Sequence, residues 1–175
     1  IDAFISLPAS PEYILQVIQT VVANSNEHFS PEELLASHNQ QNRRATIMLV
    51  EDSKINQQVC LGALKEFFPD IIVANNGLEA VDIWKKHKID IILMDCHMPV
   101  MDGFEATMKI RELEKTSKTK TAIVAITASD AAHDKARCIE VGMDDFVGKP
   151  YSPEQLFRVI VNQLPKEEPV TLQIS

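Results

Sequence analysis

Much of what this chain could be is excluded by what it lacks. Cysteine is scarce: Cys60, Cys96 and Cys138 lie far apart with no Cys-x-x-Cys spacing, so neither a metal knuckle nor a disulfide framework is indicated. Reduced thiols in a cytosolic protein are the expectation. No stretch approaches the ~18 apolar residues that a membrane helix needs. Basic residues are outnumbered, 17 Lys and Arg against 25 Asp and Glu, and the net charge of −8 argues against non-specific nucleic-acid binding by the whole chain. No Gly-x-Gly-x-x-Gly follows the first candidate strand, which removes a dinucleotide-binding enzyme. Only ten residues follow Pro165, too few for a DNA-binding domain. The chain also starts at Ile1 with no methionine or signal peptide. It is therefore expected to be a piece of a longer protein, with any membrane anchor lying elsewhere.

What is present is an ordinary globular composition, 45% hydrophobic and 24% charged. From Thr46 onward, short apolar runs alternate with helix-period segments. The runs are 46–50, 71–74, 89–94, 121–126 and 143–147. They are mostly continuous and rich in Ile and Val, the pattern of strands buried on both faces of a parallel sheet. Helices are expected at about 54–67, 77–87, 103–115, 130–141 and 153–164. Five strands alternating with five helices predict a doubly wound α/β sandwich. Right-handed crossovers follow, with ligands bound beyond the carboxyl ends of the strands.

The first 45 residues differ. Shifted by 142 positions, Ile1–Val21 falls on Met143–Gln163 with eight of 21 pairs identical, among them Asp2/Asp144, Phe4/Phe146 and Pro8/Pro150. Both copies place Ser-Pro-Glu before an apolar helical run, an N-cap serine followed by a first-turn proline. Residues 1–22 therefore read as the last strand and helix of an earlier, similar domain, and 23–45 as a linker. Residues 46–165 form the main domain and 166–175 a tail. Ile14, Leu15, Val17, Ile18, Val21 and Val22 make an apolar face without its own sheet. A helix at about 11–22 that supports a homodimer is expected from it.

The chemistry sits at strand ends. Glu51 and Asp52 follow the first strand and Asp95 the third, and parallel neighbours bring those ends together. Clustered like charges need a cation or a raised pKa for relief. Mg²⁺ suits one or two carboxylates plus phosphate oxygens. Taken alone, the Glu51-Asp52 pair could equally cap a helix. Thr127 at the end of the fourth strand and Lys149 after the fifth add a hydroxyl and an ammonium, donors suited to a tetrahedral phosphoryl group. The acid pair, single Asp, Thr and Lys-Pro in this order form a much more specific set than any member alone. His28, His38, His87 and His133 are scattered without ligand spacing, and no histidine occupies a kinase-like phosphoacceptor setting.

Residues 46–165 resemble the receiver domain of two-component response regulators. They are most similar to receivers attached to hybrid histidine kinases, whose typical wording is Val50-Glu-Asp-Ser-Lys-Ile-Asn-Gln57 and Met94-Asp-Cys-His-Met-Pro-Val-Met-Asp-Gly103. The resemblance covers about 120 of 175 residues. It implies a flavodoxin-like fold, with a five-stranded parallel sheet in order 2-1-3-4-5. It implies that Asp95 accepts a phosphoryl group from phosphohistidine, and that Glu51, Asp52, Asp95 and the backbone carbonyl of His97 hold Mg²⁺. Thr127 and Lys149 would contact the phosphoryl group, Thr127 and Phe146 would act as the switch, and Pro150 would follow a cis peptide bond. The His97 ring is expected to point outward. The implied partners are a histidine kinase domain or a histidine phosphotransfer protein, in the cytoplasm, with room for a parent anchored in the inner membrane. The chain would catalyse its own aspartyl phosphorylation while holding no kinase domain.

The competing class is a pseudo-receiver, an interaction module that signals without phosphate. The complete set Glu51, Asp52, Asp95, Thr127 and Lys149 argues against it for 46–165. For the upstream copy it is favoured, because Leu7 stands where the second copy has Lys149.

Overall fold

The computed structural model describes residues 45–164, apart from 66, 118 and 129–131. The remnant expected at 1–22, its apolar helix and homodimer, almost all of the 23–45 linker and the 166–175 tail lie outside the described residues.

Ten elements alternate along the described chain: β1 Ile47–Val50, α1 Lys54–Leu64, β2 Ile71–Ala74, α2 Gly77–Lys86, β3 Ile91–Asp95, α3 Gly103–Ser117, β4 Ala122–Ala128, α4 Ala132–Val141, β5 Asp145–Lys149 and α5 Pro153–Gln163. The five strands form one parallel sheet in the order β2-β1-β3-β4-β5. Because successive strand residues face opposite sides, β1 feeds two cores at once. Met48 and Val50 join Ile92, Phe104, Ile110 and Cys138 under α2, α3 and α4. Ile47 and Leu49 join Cys60, Leu64, Phe157 and Ile160 under α1 and α5. Burial on both sides explains why β1 and β3 read as unbroken apolar runs.

Local chemistry starts the helices where the strands stop. The Ser53 hydroxyl caps α1 by accepting the Asn56 N–H, and Asn76 caps α2 by accepting that of Glu79. Ser152 and Gln155 close a reciprocal capping box on α5, with Pro153 in its first turn.

Three strands are displaced from their expected positions, among them β4, which runs over 122–128 rather than 121–126. β3 begins at Ile91 rather than 89, because the Asp90 carboxylate accepts the Thr46 N–H and holds that residue in the turn. It therefore contains Asp95 instead of ending before it. β5 runs over 145–149 rather than 143–147. Asp144 stays outside it, accepting the Ile123 N–H and pairing with Arg111 at 2.6 Å. Lys149 is thus the last residue of β5, and Thr127 lies inside β4, one residue from its end.

Candidate phosphoryl-transfer site

Sheet order gathers the polar residues at one edge. Asp95 ends β3 beside Ile126 of β4, Thr127 is the next residue along, and Lys149 pairs with Ala128. Glu51 and Asp52 leave β1, the other neighbour of β3. Carboxylate oxygens of Glu51, Asp52 and Asp95 lie within 4.8 Å of one another. Three oxygen donors so close together suit a hard divalent cation.

Lys149 bridges the cluster. Its Nζ donates to Glu51 Oε2 at 2.9 Å and to Asp95 Oδ2 at 2.7 Å. Asp95 Oδ1 accepts the backbone N–H of His97 at 3.1 Å. Glu51 Oε1 accepts the Ser53 N–H at 3.1 Å and Asn56 Nδ2 at 3.0 Å. Glu51 and Asp95 are buried while Asp52 is exposed.

The two buried acids titrate in opposite directions. Burial pushes Asp95 above the ordinary carboxylate value, and its bonds from Lys149 and His97 only partly offset this. Burial also acts on Glu51, but hydrogen bonds from Lys149 and Asn56 outweigh it and hold that carboxyl below its ordinary value. Glu51 gains the Asn56 side-chain donor that Asp95 lacks. For Lys149 burial opposes the charge, yet the two carboxylates prevail and raise its pKa.

The Thr127 hydroxyl is buried and has no hydrogen-bond partner among the described residues. A buried hydroxyl in that state could donate to an incoming oxygen. Phe146 is 36% exposed, with Lys135 Nζ 5.0 Å from its ring centre. The Lys149–Pro150 peptide bond is cis. His97 turns its exposed ring outward to Asp134, Nε2 to Oδ2 at 2.7 Å, and lies edge-on to Phe104. Between β3 and α3, Val100 has φ +73° while the Met101 N–H bonds the Pro99 carbonyl at 2.9 Å. That is a γ-turn, strained for a β-branched residue, and it returns the chain to Gly103. There a Cβ would fall on the Asp95 carbonyl oxygen.

The family model for the response regulator receiver domain matches residues 47–161. The chain belongs to the response regulator receiver family. Over 113 residues the receiver is 47% identical to hybrid signal transduction histidine kinase B of Dictyostelium discoideum, covering 59% of this chain and 6% of that protein. Among solved structures it resembles the receiver domain of a Pseudomonas aeruginosa sensor histidine kinase with a magnesium ion coordinated in its active-site cleft. The TM-score is 0.62 at 33% identity, covering 69% of this chain and 98% of that one. It also resembles the receiver domain of a Saccharomyces cerevisiae response regulator co-crystallised with a histidine phosphotransfer protein. There the TM-score is 0.63 at 34% identity, covering 69% and 88% of the two chains. The receiver corresponds to only a small part of its hybrid-kinase relatives.

Sequence reasoning missed the polar frame behind the acids. Gln57 is buried and donates from Nε2 to the Glu51 carbonyl and to Asn75 Oδ1, while Asn75 bonds Glu79. Asn56 and Gln57 stood in the quoted motif, so a signal existed. Asp134, the partner of His97, gave none, because it sits 37 residues away on α4. Among the described residues no helix is long and apolar enough to cross a membrane.

Proposed function

We propose that this receiver takes a phosphoryl group from a phosphohistidine onto Asp95. The observation that carries the reading is the bridging of Asp95 Oδ2 and Glu51 Oε2 by Lys149, beside a Thr127 hydroxyl with no partner among the described residues. An Asp95 oxygen attacks phosphorus in line. The P–N bond to imidazole breaks, the O–P bond forms, and the imidazole nitrogen retains the electron pair and takes up a proton. Lys149 then leaves its carboxylate bridge to pair with a phosphoryl oxygen, and Thr127 donates to another. Glu51, Asp52, Asp95 and the backbone carbonyl of His97 would hold Mg²⁺. When bound, that ion supplies positive charge against the phosphoryl oxygens. The movement of Thr127 frees space toward which Phe146 swings, and β4, α4 and β5 repack as the output surface.

The donor is a histidine kinase domain or a histidine phosphotransfer protein, and the parent a hybrid histidine kinase acting in the cytoplasm. The kinase relatives and the co-crystallised yeast receiver support this. Incubation with acetyl phosphate and Mg²⁺ tests the acceptor directly. Intact-mass spectrometry is expected to record one phosphoryl group, removed by hydroxylamine or alkali, on the wild type and none on Asp95→Asn. Labelling that persisted in the variant would overturn the assignment.

A further inference from the structure

Asn56 has no part in the phosphoryl chemistry above, yet it touches the residue on which the charge balance turns. It lies in the first turn of α1, where the Ser53 hydroxyl takes its backbone N–H. That cap fixes the Asn56 backbone and leaves its side-chain amide free to reach back. Its Nδ2 donates to Glu51 Oε1 at 3.0 Å, the same oxygen that accepts the Ser53 N–H at 3.1 Å. Gln57, the next residue, holds the Glu51 carbonyl. The backbone and one carboxylate oxygen of Glu51 are therefore tied to α1. The other oxygen, Oε2, is left to face Lys149 and, through it, Asp95.

Two donors on one oxygen divide the carboxylate into unequal halves. A glutamate held only by the Ser53 N–H and Lys149 could rotate about its last bond and exchange its oxygens. It could also swing its head away from Asp52 and Asp95. The Asn56 amide stops both motions. We infer that Asn56 is a positioning residue, which orients Glu51 so that Oε2 stays in the acidic cluster and thereby sets the affinity of that cluster for a divalent cation. Outer partners that orient metal-binding groups typically change metal affinity by about 10- to 100-fold when removed. A single amide on one of three carboxylates belongs at the low end. This inference rests on the phosphoacceptor reading, since it concerns the same cluster, but Asn56 touches neither Asp95 nor a phosphoryl oxygen.

A double-mutant cycle on the 175-residue chain tests it, using wild type, Asn56→Ala, Glu51→Ala and the double variant. Mg²⁺ affinity of the unphosphorylated protein is measured by titration calorimetry. The Mg²⁺ dependence of acetyl phosphate labelling is followed in parallel. Asn56→Ala is expected to weaken Mg²⁺ binding roughly tenfold, with a larger change in the half-saturating concentration than in the plateau rate. In the Glu51→Ala background the same substitution should change almost nothing, because Asn56 acts through Glu51. Unchanged affinity in Asn56→Ala, or an equal loss in both backgrounds, would overturn the positioning role. Circular dichroism identifies any unfolded variant, and Asn56→Ser takes the place of alanine in that case. A wild type that neither binds Mg²⁺ nor takes the phosphoryl group would overturn the functional reading itself. A competent wild type with an indifferent Asn56→Ala overturns only this inference.

Discussion

Replacing Lys149 by alanine would remove the cation shared by Glu51 and Asp95, at 2.9 and 2.7 Å from their oxygens. Breaking a buried pair by deleting one partner costs about 3–5 kcal/mol. Proton uptake limits that cost here. An ordinary glutamate carboxyl titrates at 4.5, so protonating Glu51 at pH 7 requires about 3 kcal/mol, at about 1.4 kcal/mol per pH unit. Since the lysine side chain is itself 31% exposed, a loss of about 2–3 kcal/mol at pH 7 is expected.

The sign of the pH dependence follows. Without the lysine, burial is the largest influence left on Glu51 and Asp95. Both carboxyls are then expected to titrate above their unfolded values, and the folded variant to bind more protons than the unfolded chain. The deficit relative to wild type then shrinks as pH falls from 7 to 5, by up to about 1.4 kcal/mol per unit. In the wild type the Lys149 pKa is raised. Its contribution is complete below the unfolded lysine pKa and lost only in strong alkali, as pH rises through the folded value. Urea unfolding of both proteins at pH 5, 6 and 7, without divalent cations, measures the difference. A deficit below about 1 kcal/mol, or one that stays flat across that range, would show that Lys149 does not neutralise the two buried carboxylates.

Two further substitutions probe the same edge. Thr127→Val replaces a buried hydroxyl that has no partner among the described residues by an isosteric methyl. It should stabilise the resting receiver by about 1 kcal/mol in urea unfolding, while removing the phosphoryl contact proposed for this residue. A destabilisation of similar size would mean that the hydroxyl is satisfied in the resting state. Gly103→Ala places a Cβ on the Asp95 carbonyl oxygen and 2.9 Å from Met94 Cγ. Backbone cannot yield as a flexible side chain can, so a loss of about 2–3 kcal/mol and slower acetyl phosphate labelling are expected. A cost under about 0.5 kcal/mol would show that the loop after β3 retreats freely.

Local grammar made most of the fold legible. Continuous Ile and Val runs announced strands covered on both faces, because burial on two sides leaves no polar alternation to read. Ser53, Asn76 and Ser152 sit at helix starts, where a side-chain oxygen is needed for an exposed backbone N–H. Asp95, Thr127 and Lys149 could be placed near strand ends for the same local reason. The strand limits were less legible, since Asp90 and Asp144 are held outside β3 and β5 by hydrogen bonds to Thr46 and Ile123 on other parts of the chain.

Periodicity and residue type within short windows were enough to establish the order of elements and the inventory of charged groups at one edge. How those groups share their charges depends instead on the folded arrangement. Lys149 reaches Glu51 across 98 positions and Asp95 across 54. Such pairings depend on strand order and register, set by the packing of two cores rather than by any local pattern. The same holds for the division of the Glu51 carboxylate between Asn56 and Lys149, which comes from a helix and a strand meeting at one side chain.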